Sequence, residues 1–130
     1  MNDPAVRGIV VAHAQLAEAL IRAVERIAGP SDGALVSLSN EGLGPEGIRK
    51  RLEELIGDGP AVVFTDLREG SCGLAARQVC VGRANHVVVT GANLPLLLDF
   101  VMKRHLPIDQ LVTRLVDRGR NAISAMPELQ

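Results

Sequence analysis

The chain has 130 residues, which fits one domain spanning 1–130 around a single core. Hydrophobic residues make up 47% and charged residues 22%, the balance of an ordinary soluble globular protein. With 14 basic against 15 acidic residues and only 2% aromatics, it lacks both the basic footprint and the stacking platform of a nucleic-acid binder, and its core must be aliphatic.

The N-terminal MNDPAVRGIVVAHAQ lacks the charged-then-apolar pattern of a signal peptide. No apolar run approaches the roughly 18 residues of a membrane span. A cytoplasmic protein without membrane insertion is therefore expected. Val6 to Ala12 is a continuous β-branched run, as in a strand buried on both faces. Ala14 to Ala28 carries Leu16, Ala17, Leu20, Val24 and Ile27 at helical spacing, and Gly29-Pro30 stops it. Ala34 to Leu38 predicts a second strand. Pro45 opens a helix to Ile56, with Gly57 just past its end.

Ala61 to Thr65 predicts a third buried strand, and the turn DLREGSCG leads into a helix over Cys72 to Val81. His86 to Thr90 is the fourth strand. Gly91 to Pro95 is a loop, Leu96 to Lys103 a helix, and Ile108 to Arg118 the last helix. Ala122 to Ala125 offers a short further edge strand. Strands alternating with helices predict an α/β single domain. Its mostly parallel open sheet has four to five strands, with helices on both faces. Cys72 and Cys80 match no zinc or CxxC pattern and read as reduced thiols.

In such a sheet the binding crevice lies beyond the carboxyl ends of the strands. The reactive side chains there are His13, Asp66, Ser71 and Cys72. An anion on His13 would meet the free N–H groups of the helix that follows. A carboxylate at Asp66 can accept from one ring nitrogen and leave the other as nucleophile. Ser71, in a Gly-flanked turn at a helix start, can donate to a phosphoryl oxygen. Blander roles compete with these. A His between a strand and a helix is often structural, Asp66 suits a turn, Ser71 suits an N-cap, and cysteines are often small buried hydrophobes. Two further chemistries stay open: Asp66 as a phosphoryl acceptor, and a Cys72–His13 hydrolase. The latter lacks a GxSxG elbow, because Glu69 stands where its first Gly would be.

GIVVAHAQLAEAL, EGLGPEGIRKRLEELI, VVFTDLREGS and VVTGANLPLLLDF, in that order, resemble the mannose-family enzyme IIA component of the bacterial sugar phosphotransferase system. The resemblance covers nearly the whole chain. It implies a homodimeric α/β phosphocarrier that takes a phosphoryl group from phospho-HPr and passes it to an enzyme IIB partner in sugar uptake. It needs no metal or cofactor. By motif, His13 matches the phosphorylated histidine, Asp66 its paired aspartate and Ser71 the serine of the phosphoryl-site turn. Thr65, Gly91 and Asn93 fall in supporting positions. The family turn usually resembles TDLFGGSP. Here Arg68 and Glu69 replace an apolar residue and a glycine, Cys72 replaces the proline, and Ala14 replaces a glycine after the histidine, a mild change. These departures leave open an alternative role, a regulatory sensor of phosphorylation state that acts through protein binding.

Overall fold

The computed structural model describes residues 5–127. In chain order the elements are β1 (Arg7–Ala12), α1 (Leu16–Ala28), β2 (Leu35–Ser39), α2 (Pro45–Ile56), β3 (Ala61–Thr65), α3 (Ser71–Cys80), β4 (His86–Thr90), α4 (Leu94–Lys103) and α5 (Ile108–Asn121). All strand pairs are parallel, and the order is β2-β1-β3-β4.

The period of two along the strands divides the core. Val10, Ala12, Val62 and Phe64 pack with residues of α1, α4 and α5 on one face. Ile9, Val11, Ala61 and Val63 pack with residues of α2 and α3 on the other. The two inner strands are therefore apolar almost throughout, as a strand covered on both sides must be. The chain's two phenylalanines, Phe64 and Phe100, meet edge to face with centroids 5.2 Å apart. Such a pair adds about 0.5–1.5 kcal/mol beyond its buried area. Gly8 lets Phe100 come this close to the sheet, since a Cβ there would stand 2.8 Å from its ring.

The spans of α2, β3 and β4 agree with the sequence expectation. Other boundaries shift for identifiable reasons. Helix α1 starts at Leu16 and not at Ala14, because Ala14 has φ +52 and cannot join a right-handed helix. Helix α4 starts at Leu94 and takes in Pro95, which the sequence assigned to a loop. The Asn93 side chain caps the Leu96 amide at 3.1 Å, and proline is tolerated in a first turn that has no N–H partners. Helix α5 runs past Arg118 to Asn121, and Ala122 beyond it keeps right-handed helical backbone angles. The further edge strand at Ala122 to Ala125 does not form, so the sheet has four strands among the described residues.

Consecutive strands leave β1 in opposite directions, β2 to one side and β3 to the other. The order reverses between β1 and β3, so their carboxyl ends frame the crevice where open α/β sheets place their ligands.

Candidate active site

His13 is the first residue after β1 and Asp66 the first after β3. Because these strands are neighbours in register, with Val11 opposite Thr65, the two residues arrive side by side. The Asp66 Oδ2 atom accepts two hydrogen bonds from His13, one from the backbone N–H at 3.0 Å and one from the ring at Nδ1, 2.8 Å away. Asp66 Oδ1 accepts from the Leu67 amide at 3.0 Å. The Asp66 side chain is 11% exposed and the His13 side chain 41% exposed. The carboxylate is thus sheltered, while the imidazole reaches solvent. With Nδ1–H given to the carboxylate, Nε2 keeps the free lone pair.

Burial acts to raise the Asp66 pKa. The His13 amide, the His13 ring and its charge outweigh it, so the carboxyl lies below the ordinary carboxylate value. Burial and the nearby Asp66 charge push the Cys72 thiol up, against a hydrogen bond with Ser71 that lowers it. Cys80 is pushed by burial up to about 11. Both thiols are therefore protonated near neutral pH and are poor nucleophiles as they stand.

The turn after β1 is held from β2. The Asn40 side chain accepts from the Ala14 amide at 3.0 Å, and the Ser39 hydroxyl donates to the Ala14 carbonyl at 2.7 Å. These two bonds hold alanine in a left-handed conformation that costs roughly 1–2 kcal/mol, so the replacement is less mild than it looks in sequence. The turn after β3 is held from below. The Thr65 hydroxyl donates to the Leu67 carbonyl at 2.9 Å, and Arg77 on α3 donates to the Arg68 carbonyl at 2.8 Å. Gly73 packs directly beneath that same carbonyl, with no room for a Cβ.

Helix α3 begins with Gly70 as its N-cap, at φ +95, and no side chain caps it. Ser71 is its first residue and not the cap considered from sequence. The N–H groups of its first turn are open for an anion. A Cβ on Gly70 would lie 3.9 Å from His13 Cε1, so this open helix end stands beside the imidazole edge. Ser71 makes no hydrogen bond with His13 or Asp66 among the described residues. Cys72 is fully buried, and one donor atom from each of His13, Asp66 and Cys72 falls within 4.8 Å of the others. Asn93 makes no hydrogen bond with this trio among the described residues. It caps α4 and donates to the Gly119 carbonyl of α5 at 2.9 Å, which joins the two helices. Arg68 and Glu69 are both exposed.

Sequence reasoning places Ser39-Asn40-Glu41 and Thr65 to Ser71 at the crevice but gives Ser39, Asn40 and Gly70 no role of their own, and it misses Gly73. The signal for the first two was their position just after β2, next to β1. Nothing in composition marked Gly73, whose role depends on a carbonyl that folds back onto its helix.

Residues 8–115 match the family model EIIA-man, the PTS system fructose IIA component. The chain belongs to this family. A mannose/sorbose specific IIA subunit of the phosphotransferase system from Enterococcus faecalis is 26% identical, with TM-score 0.84 over 98% of this chain and all of that one (100%). The phosphotransferase system component EIIA from Streptococcus agalactiae superposes with TM-score 0.86 at 24% identity, over 92% of this chain and 96% of that one. A PTS IIA protein associated with the fucose utilization operon of Streptococcus pneumoniae gives 0.80 at 21%, covering 96% of each. The last two likenesses speak for the fold alone. A sequence search of curated proteins finds no match. This EIIA-man chain is thus a component of the phosphotransferase system type, and no helix among its described residues is long and apolar enough to cross a membrane.

Proposed function

We propose that His13 accepts a phosphoryl group from phospho-HPr and passes it to an enzyme IIB partner, in the cytoplasm. One observation carries the reading. The 2.8 Å contact between His13 Nδ1 and Asp66 Oδ2 leaves Nε2 as the exposed nucleophile. In the forward step, a bond forms between Nε2 and phosphorus as the phosphorus–nitrogen bond of the donor imidazole breaks. Asp66 keeps Nδ1 protonated and offsets the positive charge that grows on the ring. The amides of the first turn of α3, with the Ser71 hydroxyl, receive the phosphoryl oxygens. Positioning does most of the work, as in other phosphoryl transfers, and can supply up to about 7–11 kcal/mol.

A reversible carrier must not hold its cargo too firmly. Of the two guanidiniums at the turn, Arg77 is engaged with the Arg68 carbonyl, while Arg68 is exposed, and so is Glu69. We place both at the rim, where they meet the partner protein. The reading includes a homodimer. The outer edge of β4 has no strand beside it among the described residues. A cavity of about 290 Å³ runs along it between Thr90, Asn93, Val116, Arg120 and Ile123, and Ile123 and Met126 are 80% and 90% exposed.

The test is incubation of the protein with phosphoenolpyruvate, enzyme I and HPr, followed by intact mass measurement. One added phosphoryl group is expected on the wild type and none on His13→Ala. An unmodified wild type, or an equally modified His13→Ala, overturns the proposal. A pull-down in which IIB-type partners bind phosphorylated and unphosphorylated protein alike, with no onward transfer, would favour the regulatory role.

A further inference from the structure

We infer that His13, Asp66 and Cys72 form a binding site for a zinc-class divalent cation. The observation is their convergence: one donor atom from each lies within 4.8 Å of the other two. Cys72 is otherwise unused, since phosphoryl transfer at His13 asks nothing of a buried thiol.

The geometry is close to what the ion needs. Tetrahedral zinc holds nitrogen and oxygen at about 2.0–2.2 Å and sulfur at about 2.3 Å, which sets neighbouring donors roughly 3.3–3.6 Å apart. His13 Nδ1 and Asp66 Oδ2 are 2.8 Å apart and must part slightly. The sulfur side must close by up to about 1.2–1.5 Å. His13 is the half-exposed member and has freedom to turn. The other two are sheltered, Asp66 just after β3 and Cys72 in the first turn of α3.

The donor set selects the ion. A thiolate, an imidazole and a carboxylate suit zinc and its neighbours, whereas magnesium and calcium take oxygen donors. Three protein donors leave a fourth position for water. On binding, the sulfur–hydrogen bond of Cys72 breaks, its proton goes to solvent, and a sulfur–metal bond forms; the imidazole proton shifts from Nδ1 to Nε2 by exchange with solvent, and the freed Nδ1 lone pair forms the nitrogen–metal bond. Asp66 enters as the carboxylate it already is. A metal on Nδ1 leaves the neutral ring's proton on Nε2, so the nitrogen that would attack phosphorus has no free lone pair, and it also takes Asp66 away from the ring. The functional consequence rests on the phosphocarrier reading: the metal-loaded protein does not accept a phosphoryl group, and removing the metal restores acceptance.

Cobalt(II) is the probe, because thiolate ligation gives a sulfur-to-cobalt charge-transfer band in the near ultraviolet. Titration of the full chain should show one cobalt per chain with that band, displaced by zinc. Cys72→Ala should lose the band. His13→Ala, a change at a half-exposed position that leaves the core intact, should weaken zinc binding at least about tenfold. A folded wild type without the band, a band that survives Cys72→Ala, or unchanged affinity in His13→Ala overturns the site. Metal binding is read without any phosphoryl donor. A protein that binds cobalt as described but never takes up phosphate therefore defeats the carrier reading and leaves the metal site standing.

Discussion

His13 offers Asp66 Oδ2 both its backbone N–H and its ring, so one oxygen sets the position of the residue and the tautomer of the imidazole. Asp66→Asn keeps the shape and removes the charge. We expect its rate of phosphoryl acceptance to fall roughly 10²-fold, the scale of a positioned acid–base partner, in a time course of phosphate incorporation. The same carboxyl has a pKa below its ordinary value in the folded chain. Its stabilising contribution is therefore complete above the unfolded value, about 3.9, and is lost as pH falls through the folded one. Thermal unfolding followed downward from pH 6 should show the wild type losing part of its margin over Asp66→Asn below about pH 4. Ala14 is the second residue to test. Glycine at φ +52 relieves roughly 1–2 kcal/mol of strain and returns about 0.4–1 kcal/mol of unfolded-state entropy. Ala14→Gly should raise stability by about 0.5 kcal/mol in denaturant unfolding. A loss of stability would show that Asn40 and Ser39 relieve the strain completely.

At the scale of elements, the turn after β3 and helix α3 behave as one unit. The Arg68 carbonyl lies on Gly73 and accepts from Arg77, so the turn cannot move without the helix. Gly73→Ala forces the two apart. A loss of about 1–3 kcal/mol is expected from such overpacking, seen in thermal unfolding, together with slower phosphorylation because Asp66 begins that turn. The sequence made the order of strands and helices legible, since β-branched runs and helical periodicity rest on burial alone. It also showed His13 and Asp66, because position after a strand predicts position at the crevice. Element ends were harder. Gly70 caps α3 through its backbone, and Ala14, two residues past the end of β1, takes a conformation for which alanine carries no sequence signal. Ser71 read as a cap because serine is a good one, yet the turn left the helix start to its neighbour. Asn40 and Ser39 reach Ala14 across β2 and β1, a contact that exists only once the sheet has formed.

Across the whole molecule, the candidate site and the edge proposed for self-association fall on different borders. The reactive residues stand at the carboxyl ends of the central strands, while the open edge of β4 and exposed Ile123 lie to one side. Ile123→Glu should therefore shift the sedimentation coefficient towards that of a single chain and leave His13 competent in the monomer. A dimer that persists would place the interface elsewhere. The pairing of β1 with β3 has one more consequence. His13 and Asp66 are 53 positions apart along the chain, and no local segment can bring them together. A nascent or refolding polypeptide has an ordinary solvated imidazole until those strands meet, and non-local parallel pairing is slow to form. If His13 is the phosphoryl acceptor we propose, phosphate uptake during refolding acts as a clock: its onset dates the moment at which the centre of the sheet closes.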